Sequence, residues 1–511
     1  MRELLYVPVL ATLGLMAYGL WRCRLSSVWL FVTACVSASS FLSLFYFIGD
    51  MFTGEGLTSA VVFHVLHGLE DGNRIGMGEF PELVLLVLAT AATILAWAWF
   101  VYRRCRRNSA QRSGSLGEGV LVLVLAVLAV PLHPAVHEGI RLWHELAPRD
   151  LDVLTQELRG AGADTPVARP KSLVYIYAES YERAFLDQAA FPDLAPRLAE
   201  LERSSLSFHG LGQAPMTDWT IAGMVASQCG MPLATISPRM NDPGMGRKHF
   251  LPGAHCMGDV LAGRGYRLVY VGGADIAFQG KQNFYRTHGF QEIIGRQEGL
   301  KLLASEPPQS KWGLYDREVF SVALARFREL KSAGQPFALF VLTTATHPPN
   351  GFPGAACREM GAYGDGSNPM LTAAHCSDAE IAALVEAIES EGIPDTLVVI
   401  GSDHLQRASG ASDVFDRRGL PRENMLLVRG ADRTGTVRRE ATTLDIAPTL
   451  LNLLGGQVDG IALGRDLLAN DKTLPEKYGR KEFYNMVQHW RANLWKSWGE
   501  AAERQQTADT R

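Results

Sequence analysis

The chain has 511 residues, 47% of them hydrophobic, and a formal net charge of −4. That length allows more than one domain. The near-neutral charge balance gives no reason to expect nucleic-acid binding.

The apolar excess lies mostly before residue 137, in four runs: Leu4–Leu20, Val28–Ile48, Leu83–Tyr102 and Val120–Val136. Each approaches the ~20 residues that cross a bilayer core, so residues 1–136 are predicted to hold four transmembrane helices. A cleaved signal peptide would explain the first run alone, but no small-residue cleavage site stands beside it. Arg22 and Arg24 follow the first run, and Arg103, Arg104, Arg106, Arg107 and Arg112 follow the third. Between the second and third runs the connection is acidic, with Asp50, Glu55, Glu70, Asp71, Glu79 and Glu82 against Arg74. The excess of arginine assigns the first and third connections to the cytoplasm and the C-terminal region to the far side.

Residues 137–170 are mixed in charge, contain Pro148, Pro166 and Pro170, and read as a juxtamembrane linker. From Lys171 the pattern changes. Short β-rich runs (Ser172–Tyr177, Leu268–Val271, Phe337–Leu342, Thr396–Ile400, Met425–Val428) alternate with helical stretches such as Ala379–Ser390 and Leu444–Leu454. This alternation predicts an α/β domain with a mostly parallel central sheet over residues 171–470. Residues 471–511 read as an amphipathic helix and tail, with Tyr484, Met486, Val487, Trp490, Leu494, Trp495 and Trp498 on or near one face. That face either packs back on the domain or lies on the membrane surface. Four cysteines, Cys229, Cys256, Cys357 and Cys376, fall in the soluble part. In an oxidising compartment they pair, and proximity favours Cys229–Cys256 and Cys357–Cys376 among the three possible arrangements.

Ligands of parallel sheets sit beyond the carboxyl ends of the strands. Glu179 follows one predicted strand and Asp403-His404 follows another; Thr217 stands in APMTDWT. Two carboxylates, an imidazole and a hydroxyl suit Mn²⁺, Mg²⁺ or Zn²⁺, and a metal-bound threonine becomes a nucleophile at neutral pH. Taken singly, each residue has an ordinary structural reading. Glu179 fits a helix N-terminus, Asp403 an N-cap and Thr217 a turn, while the neighbouring Thr220 offers the same hydroxyl. His347, in THPPNGF after a third predicted strand, could donate to a phosphate oxygen or protonate a leaving alkoxide.

The stretches LVYIYAESYERAF, MTDWTIAGMVASQCGMPL, FQGKQNFYRTHGF, WGLYDREVF, THPPNGF and GSDH, with the loop DMFTGEGLTSAV, carry a resemblance over about residues 40–455. They resemble the lipoteichoic acid synthase family, within the alkaline phosphatase and sulfatase superfamily. Within it they are most similar to the branch that decorates osmoregulated periplasmic glucans with phosphoglycerol. The resemblance implies Glu179, Thr217, Asp403 and His404 as metal ligands, Thr217 as nucleophile and His347 as a contact to the glycerol-phosphate group. It implies Mn²⁺ as the first choice of metal, with Mg²⁺ or Zn²⁺ as alternatives. Lys281 falls where the lipoteichoic acid enzymes have a substrate-binding Arg, Gln279 where they have a Trp, and Ala274 where they have an Asp. Lys281 and Gln279 are thus implied substrate contacts with altered headgroup recognition, since lysine offers a point charge in place of a fork.

The implied reaction moves phosphoglycerol from phosphatidylglycerol to a periplasmic glucan, or to another hydroxyl acceptor, through a threonine-bound intermediate. Diacylglycerol leaves, and the enzyme is a multi-pass protein of the bacterial inner membrane with its catalytic domain in the periplasm. A phosphoethanolamine transferase acting on lipid A or a glucan shares this plan. An inactive membrane sensor or assembly protein on the same fold is the reading from another class. Sulfatase chemistry is disfavoured, because Cys229-Gly-Met-Pro lacks the C/S-x-P-x-R spacing it needs.

Overall fold

The computed structural model describes residues 26–53, 90–97, 131–146, 153–160, 170–234, 249–392, 395–407 and 409–490, with scattered positions elsewhere between 57 and 124. The chain divides into two compact units, Met1–Glu145 and Leu146–Arg511.

In the first unit a 28-residue helix, Ser26–Thr53, follows the second apolar run. Its segment Thr33–Asp50, of mean hydropathy 1.2, is the one stretch among the described residues long and apolar enough to cross a membrane. The expected span at Leu4–Leu20 lies outside the described residues, as does much of those at Leu83–Tyr102 and Val120–Val136. A second helix, Pro134–Leu146, occupies the start of the stretch that composition suggested as linker. Proline is tolerated at a first helical position, where its missing N–H has no helical partner to lose. Glu138 on this helix accepts a hydrogen bond from the Leu57 amide at 2.6 Å, and His133 Nε2 lies 2.8 Å from Ser43 Oγ.

The second unit is built on ten strands: β1 Ser172–Ala178, β2 Leu206–Gly212, β3 Arg267–Gly272, β4 Glu292–Ile294, β5 Gln309–Ser310, β6 Gly313–Leu314, β7 Phe337–Leu342, β8 Thr396–Ser402, β9 Leu426–Arg429 and β10 Gly435–Thr442. Eight of them form one sheet in the order β10-β2-β9-β8-β1-β7-β3-β4, and β5 and β6 make a separate hairpin. Every pairing in the large sheet is parallel except those of β9 with β2 and β8.

Strand β1 is buried on both faces, as expected where helices cover each side of a parallel sheet. Val174, Ile176 and Ala178 join one apolar core with Phe185, Val269, Leu339 and Val385. On the alternate face Tyr175 and Tyr177 stack with ring centroids 4.1 Å apart. The Tyr177 hydroxyl lies 2.9 Å from Ser227 Oγ, on the helix Thr220–Cys229.

Both expected disulfides form, Cys229–Cys256 and Cys357–Cys376. The C-terminal helix Arg480–His489 buries Phe483, Met486 and Val487, and Trp490 beyond it is also buried. Of the two expectations for this segment, packing on the domain is the one these residues follow; Leu494, Trp495 and Trp498 lie outside the described residues. The Trp490 indole donates to Thr155 Oγ1 at 3.1 Å. Residues 153–160, which composition assigned to the linker, are therefore part of the domain. Their Glu157 carboxylate accepts from Arg465 at 3.1 Å, from the Tyr478 hydroxyl at 2.6 Å and from Lys477.

Candidate active site

Strand register brings the first two residues of the site together. Strands β1 and β8 pair in parallel with Ala178 opposite Ser402, so Glu179 and Asp403 leave the same edge side by side. Strand β7 pairs on the other side of β1, with Leu342 opposite Tyr177. The next residue, Thr343, accepts the Glu179 amide on its Oγ1 at 2.9 Å. Ser180 then adopts the left-handed conformation with φ 51°. In that pose its amide donates to Asp403 Oδ1 at 2.8 Å and its hydroxyl to Glu179 Oε1 at 2.9 Å. A non-glycine residue there costs on the order of 1 kcal/mol, which these two bonds offset.

His404 completes the cluster. Its Nδ1 lies 2.8 Å from the Leu405 carbonyl, an acceptor, so Nδ1 carries the proton. Nε2 then faces the carboxylates, 3.3 Å from Glu179 Oε1 and 3.5 Å from Asp403 Oδ2. All three side chains are buried. Burial raises the Asp403 carboxyl well above its ordinary range, with the Glu179 charge adding to the effect. Burial would raise Glu179 too, but the hydrogen bond and charge of His404 outweigh it and hold that carboxyl low. Burial alone would lower His404, yet the two carboxylates push it up to about 9.

This donor set fits a divalent cation. Asp403 Oδ2 is buried with no hydrogen-bond partner, an arrangement that is costly unless a cation or proton meets it. Ligand atoms of Glu179, Asp403 and His404 lie within 4.8 Å of one another. Two other His/Cys/acid groups of similar compactness are built on Cys229–Cys256 and Cys357–Cys376. Their sulfurs are already bonded to each other and offer no thiolate.

Thr217 is buried in the turn between β2 and the helix Thr220–Cys229. Both ends of this turn touch the cluster's own loops. Gln213 Oε1 accepts from the Leu405 amide at 2.6 Å, and Thr220 Oγ1 donates to Glu179 Oε2 at 3.2 Å. The Thr217 hydroxyl donates to the Ala214 carbonyl at 2.7 Å, and Met216 before it is left-handed with φ 63°.

His347 stands on the loop after β7, half-buried. Its Nδ1 lies 2.8 Å from the Pro348 carbonyl, which assigns the proton there and leaves Nε2 available. Its ring lies against Trp312, centroids 4.2 Å apart. Burial pushes its pKa down, partly opposed by the Glu179 charge. Lys281 is buried, with its ammonium 4.9 Å from the centre of the Phe278 ring. Burial brings its pKa down to about 8 even though Glu179, Asp275 and Asp403 act to raise it. Gln279 is left-handed with φ 62°, and its amide oxygen is buried without a partner. Ala274, where the resemblance marked a missing acid, follows β3 by two residues and is half-buried.

Several residues that shape the site were not singled out from sequence. Glu182, buried three residues after Glu179, accepts from Arg422 Nε at 2.7 Å and from the Gln406 amide at 2.9 Å. It thereby ties the Glu179 loop to the His404 loop. Trp312 was visible only as part of the WGLYDREVF stretch, and nothing local in the sequence pairs Glu182 with Arg422.

A carboxylate–histidine cluster at the carboxyl edge of this sheet is the plan of a sulfatase-type domain, and the chain belongs to the sulfatase family, whose model matches residues 171–456. A second model, described as the N-terminal domain of phosphoglycerol transferase I, matches residues 2–153. Phosphoglycerol transferase I of Xanthomonas campestris pv. campestris (strain B100) is 36% identical over 427 residues, 83% of this chain and 59% of that protein. Its namesake in Escherichia coli (strain SE11) is 34% identical over 455 residues, 88% of this chain and 58% of that one. The chain thus spans a little under three fifths of the length of these relatives. Two solved structures share the fold. One is a protein of the alkaline phosphatase superfamily from Vibrio parahaemolyticus (TM-score 0.51, 20% identity, 65% of this chain and 80% of that one). The other is the lipoteichoic acid synthase LtaP from Listeria monocytogenes (TM-score 0.50, 14% identity, 69% and 98%).

Proposed function

We propose that the protein transfers phosphoglycerol from phosphatidylglycerol to a hydroxyl of a periplasmic glucan, with Thr217 as the covalent carrier. The observation that carries this reading is the Glu179–Asp403–His404 cluster bound through Gln213 and Thr220 to the Thr217 turn. The named relatives supply the group transferred.

A divalent cation held by Glu179, Asp403, His404 and Thr217, Mn²⁺ before Mg²⁺ or Zn²⁺, would lower the pKa of the threonine hydroxyl and neutralise charge on the phosphoryl oxygens. Thr217 Oγ forms a bond to phosphorus as the bond to the diacylglycerol oxygen breaks. His347 takes on Nε2 the proton that the Thr217 hydroxyl gives up and passes it to that departing oxygen, so the imidazole is neutral again when the acceptor arrives. In the second half-reaction His347 takes the proton of the incoming sugar hydroxyl, and phosphorus passes from Thr217 to the acceptor. Its depressed pKa suits this, because the imidazole is neutral near pH 7. Lys281 places a positive charge opposite the phosphodiester, and Gln279 offers an amide oxygen to a donor hydroxyl. Two disulfides support an oxidising, periplasmic site for this domain. The helix Ser26–Thr53 supports anchorage in the inner membrane, where the lipid donor lies.

The test is a transfer assay with membranes containing the full chain, a periplasmic glucan, and lipid labelled in the headgroup. Label from phosphatidylglycerol should reach the glucan. Transfer from phosphatidylethanolamine alone would replace this reading with a phosphoethanolamine transferase.

A further inference from the structure

Beyond His404 the ligand-bearing loop runs on through Leu405, Gln406 and Arg407, and the Arg407 side chain is buried. It turns back to the residue beside Thr217. Nε donates to the Asp218 carbonyl oxygen at 2.8 Å, and Nη2 donates to Asp218 Oδ2 at 2.6 Å. The turn that carries Thr217 lies outside any helix or strand, so no ladder fixes its height over the ligand loop. Its Met216 carbonyl accepts the Leu233 amide at 3.1 Å, and two contacts tie it to the segment beyond His404: Gln213 receives the Leu405 amide at 2.6 Å, and Asp218 receives Arg407. Thr217 lies between them. A guanidinium can hold a carbonyl and a carboxylate of one residue at once, whereas an ammonium is a single point charge.

We propose that Arg407 is a positioning residue for Thr217, setting the nucleophilic oxygen over the Glu179–Asp403–His404 cluster by gripping both the backbone and the side chain of Asp218. The proposal rests on Thr217 being the nucleophile. Arg407 does not itself touch the transferred group; it acts through Asp218.

The experiment uses the full chain in detergent with phosphatidylglycerol, a periplasmic glucan and Mn²⁺, comparing Arg407→Lys, Arg407→Ala, the double variant Arg407→Ala/Asp218→Ala, and Thr217→Ala. A nucleophile displaced by a fraction of an ångström to 1 Å should cost Arg407→Lys roughly 10- to 100-fold in kcat. KM for the lipid and the affinity for Mn²⁺, read by calorimetry, should stay at the wild-type values, because the ligand loop keeps Glu182 and Gln213. The double variant should be no slower than Arg407→Ala, since the two residues act as one unit. Wild-type kcat in Arg407→Lys beside an inactive Thr217→Ala would overturn the proposal. So would a parallel fall in kcat and Mn²⁺ affinity, which would make Arg407 a support for the metal ligands. An active Thr217→Ala would remove the nucleophile reading first, and the proposal with it.

Discussion

Gly223 lies directly against the backbone of Asp403: a Cβ placed on Gly223 would stand 1.9 Å from the Asp403 carbonyl oxygen. Gly223 is on the helix Thr220–Cys229, which follows the Thr217 turn, and Asp403 opens the loop that carries His404. The missing side chain lets the two segments close on each other.

Gly223→Ala therefore forces helix and loop apart, because the clash is with backbone and no side chain can yield. The expected stability loss is roughly 1–3 kcal/mol, the usual range for overpacking. Activity should fall further than that loss implies, and Mn²⁺ binding should weaken with it. Denaturant unfolding and calorimetric metal titration check both. Normal metal affinity in the folded variant would contradict the close approach.

Lys281 should set the alkaline limb of activity. With its pKa brought down to about 8 by burial, the ammonium is lost as pH rises through that value. kcat/KM should then fall as the attraction for the phosphodiester disappears. Lys281→Arg should move the limb upward, and Lys281→Met should abolish it together with much of the activity at pH 7. Stability moves the other way. Because the folded pKa lies below the ordinary 10.5, the unfolded chain binds more protons between about 8 and 10.5, and Lys281 makes stability rise with pH across that window. A pH–rate profile paired with unfolding at each pH reads both signs.

Glu157→Ala tests whether residues 153–160 belong to the catalytic unit. It would leave the buried Arg465 guanidinium without its carboxylate, a change that typically costs roughly 3–5 kcal/mol. Burial acts to raise the Glu157 carboxyl, but Lys477, Tyr478 and Arg465 together hold it below 4.5. Its stabilisation is therefore present above pH 4.5 and lost as pH falls through the lower folded value. Thermal unfolding of wild type and variant should differ strongly at pH 7 and converge in acid. Equal melting temperatures at pH 7 would remove the clamp.

Reduction of Cys229–Cys256 should lower stability by roughly 2–4 kcal/mol, as expected for a loop of this span. Cys229 ends the helix that follows the Thr217 turn, so the double Cys→Ser variant should also lose activity. Unfolding midpoints with and without a dithiol reductant check this.

The sequence-legible part of the fold is its interior. Strands β1, β3, β7, β8 and β9 are buried and read as apolar runs. Strand β10, GTVRREAT, lies at the sheet edge with most of its side chains at least partly exposed, and β2, LSFHGLG, carries a histidine and two glycines. Neither has the apolar pattern that marks a strand, so both escaped notice. The site divides in the same way. Glu179, Asp403 and His404 stand where an apolar run ends, a position sequence can mark. Arg422 meets Glu182 across 240 residues and Arg407 meets Asp218 across 189; only the fold makes those pairs.

The central claim is that Thr217 carries the transferred group, and the direct measurement is intact-mass and peptide analysis of the full chain after incubation with Mn²⁺ and phosphatidylglycerol. The account predicts one phosphoglycerol adduct on Thr217, missing in Thr217→Ala and with phosphatidylethanolamine. Transfer that proceeds with the adduct on Thr220, or with none on the protein, would contradict it.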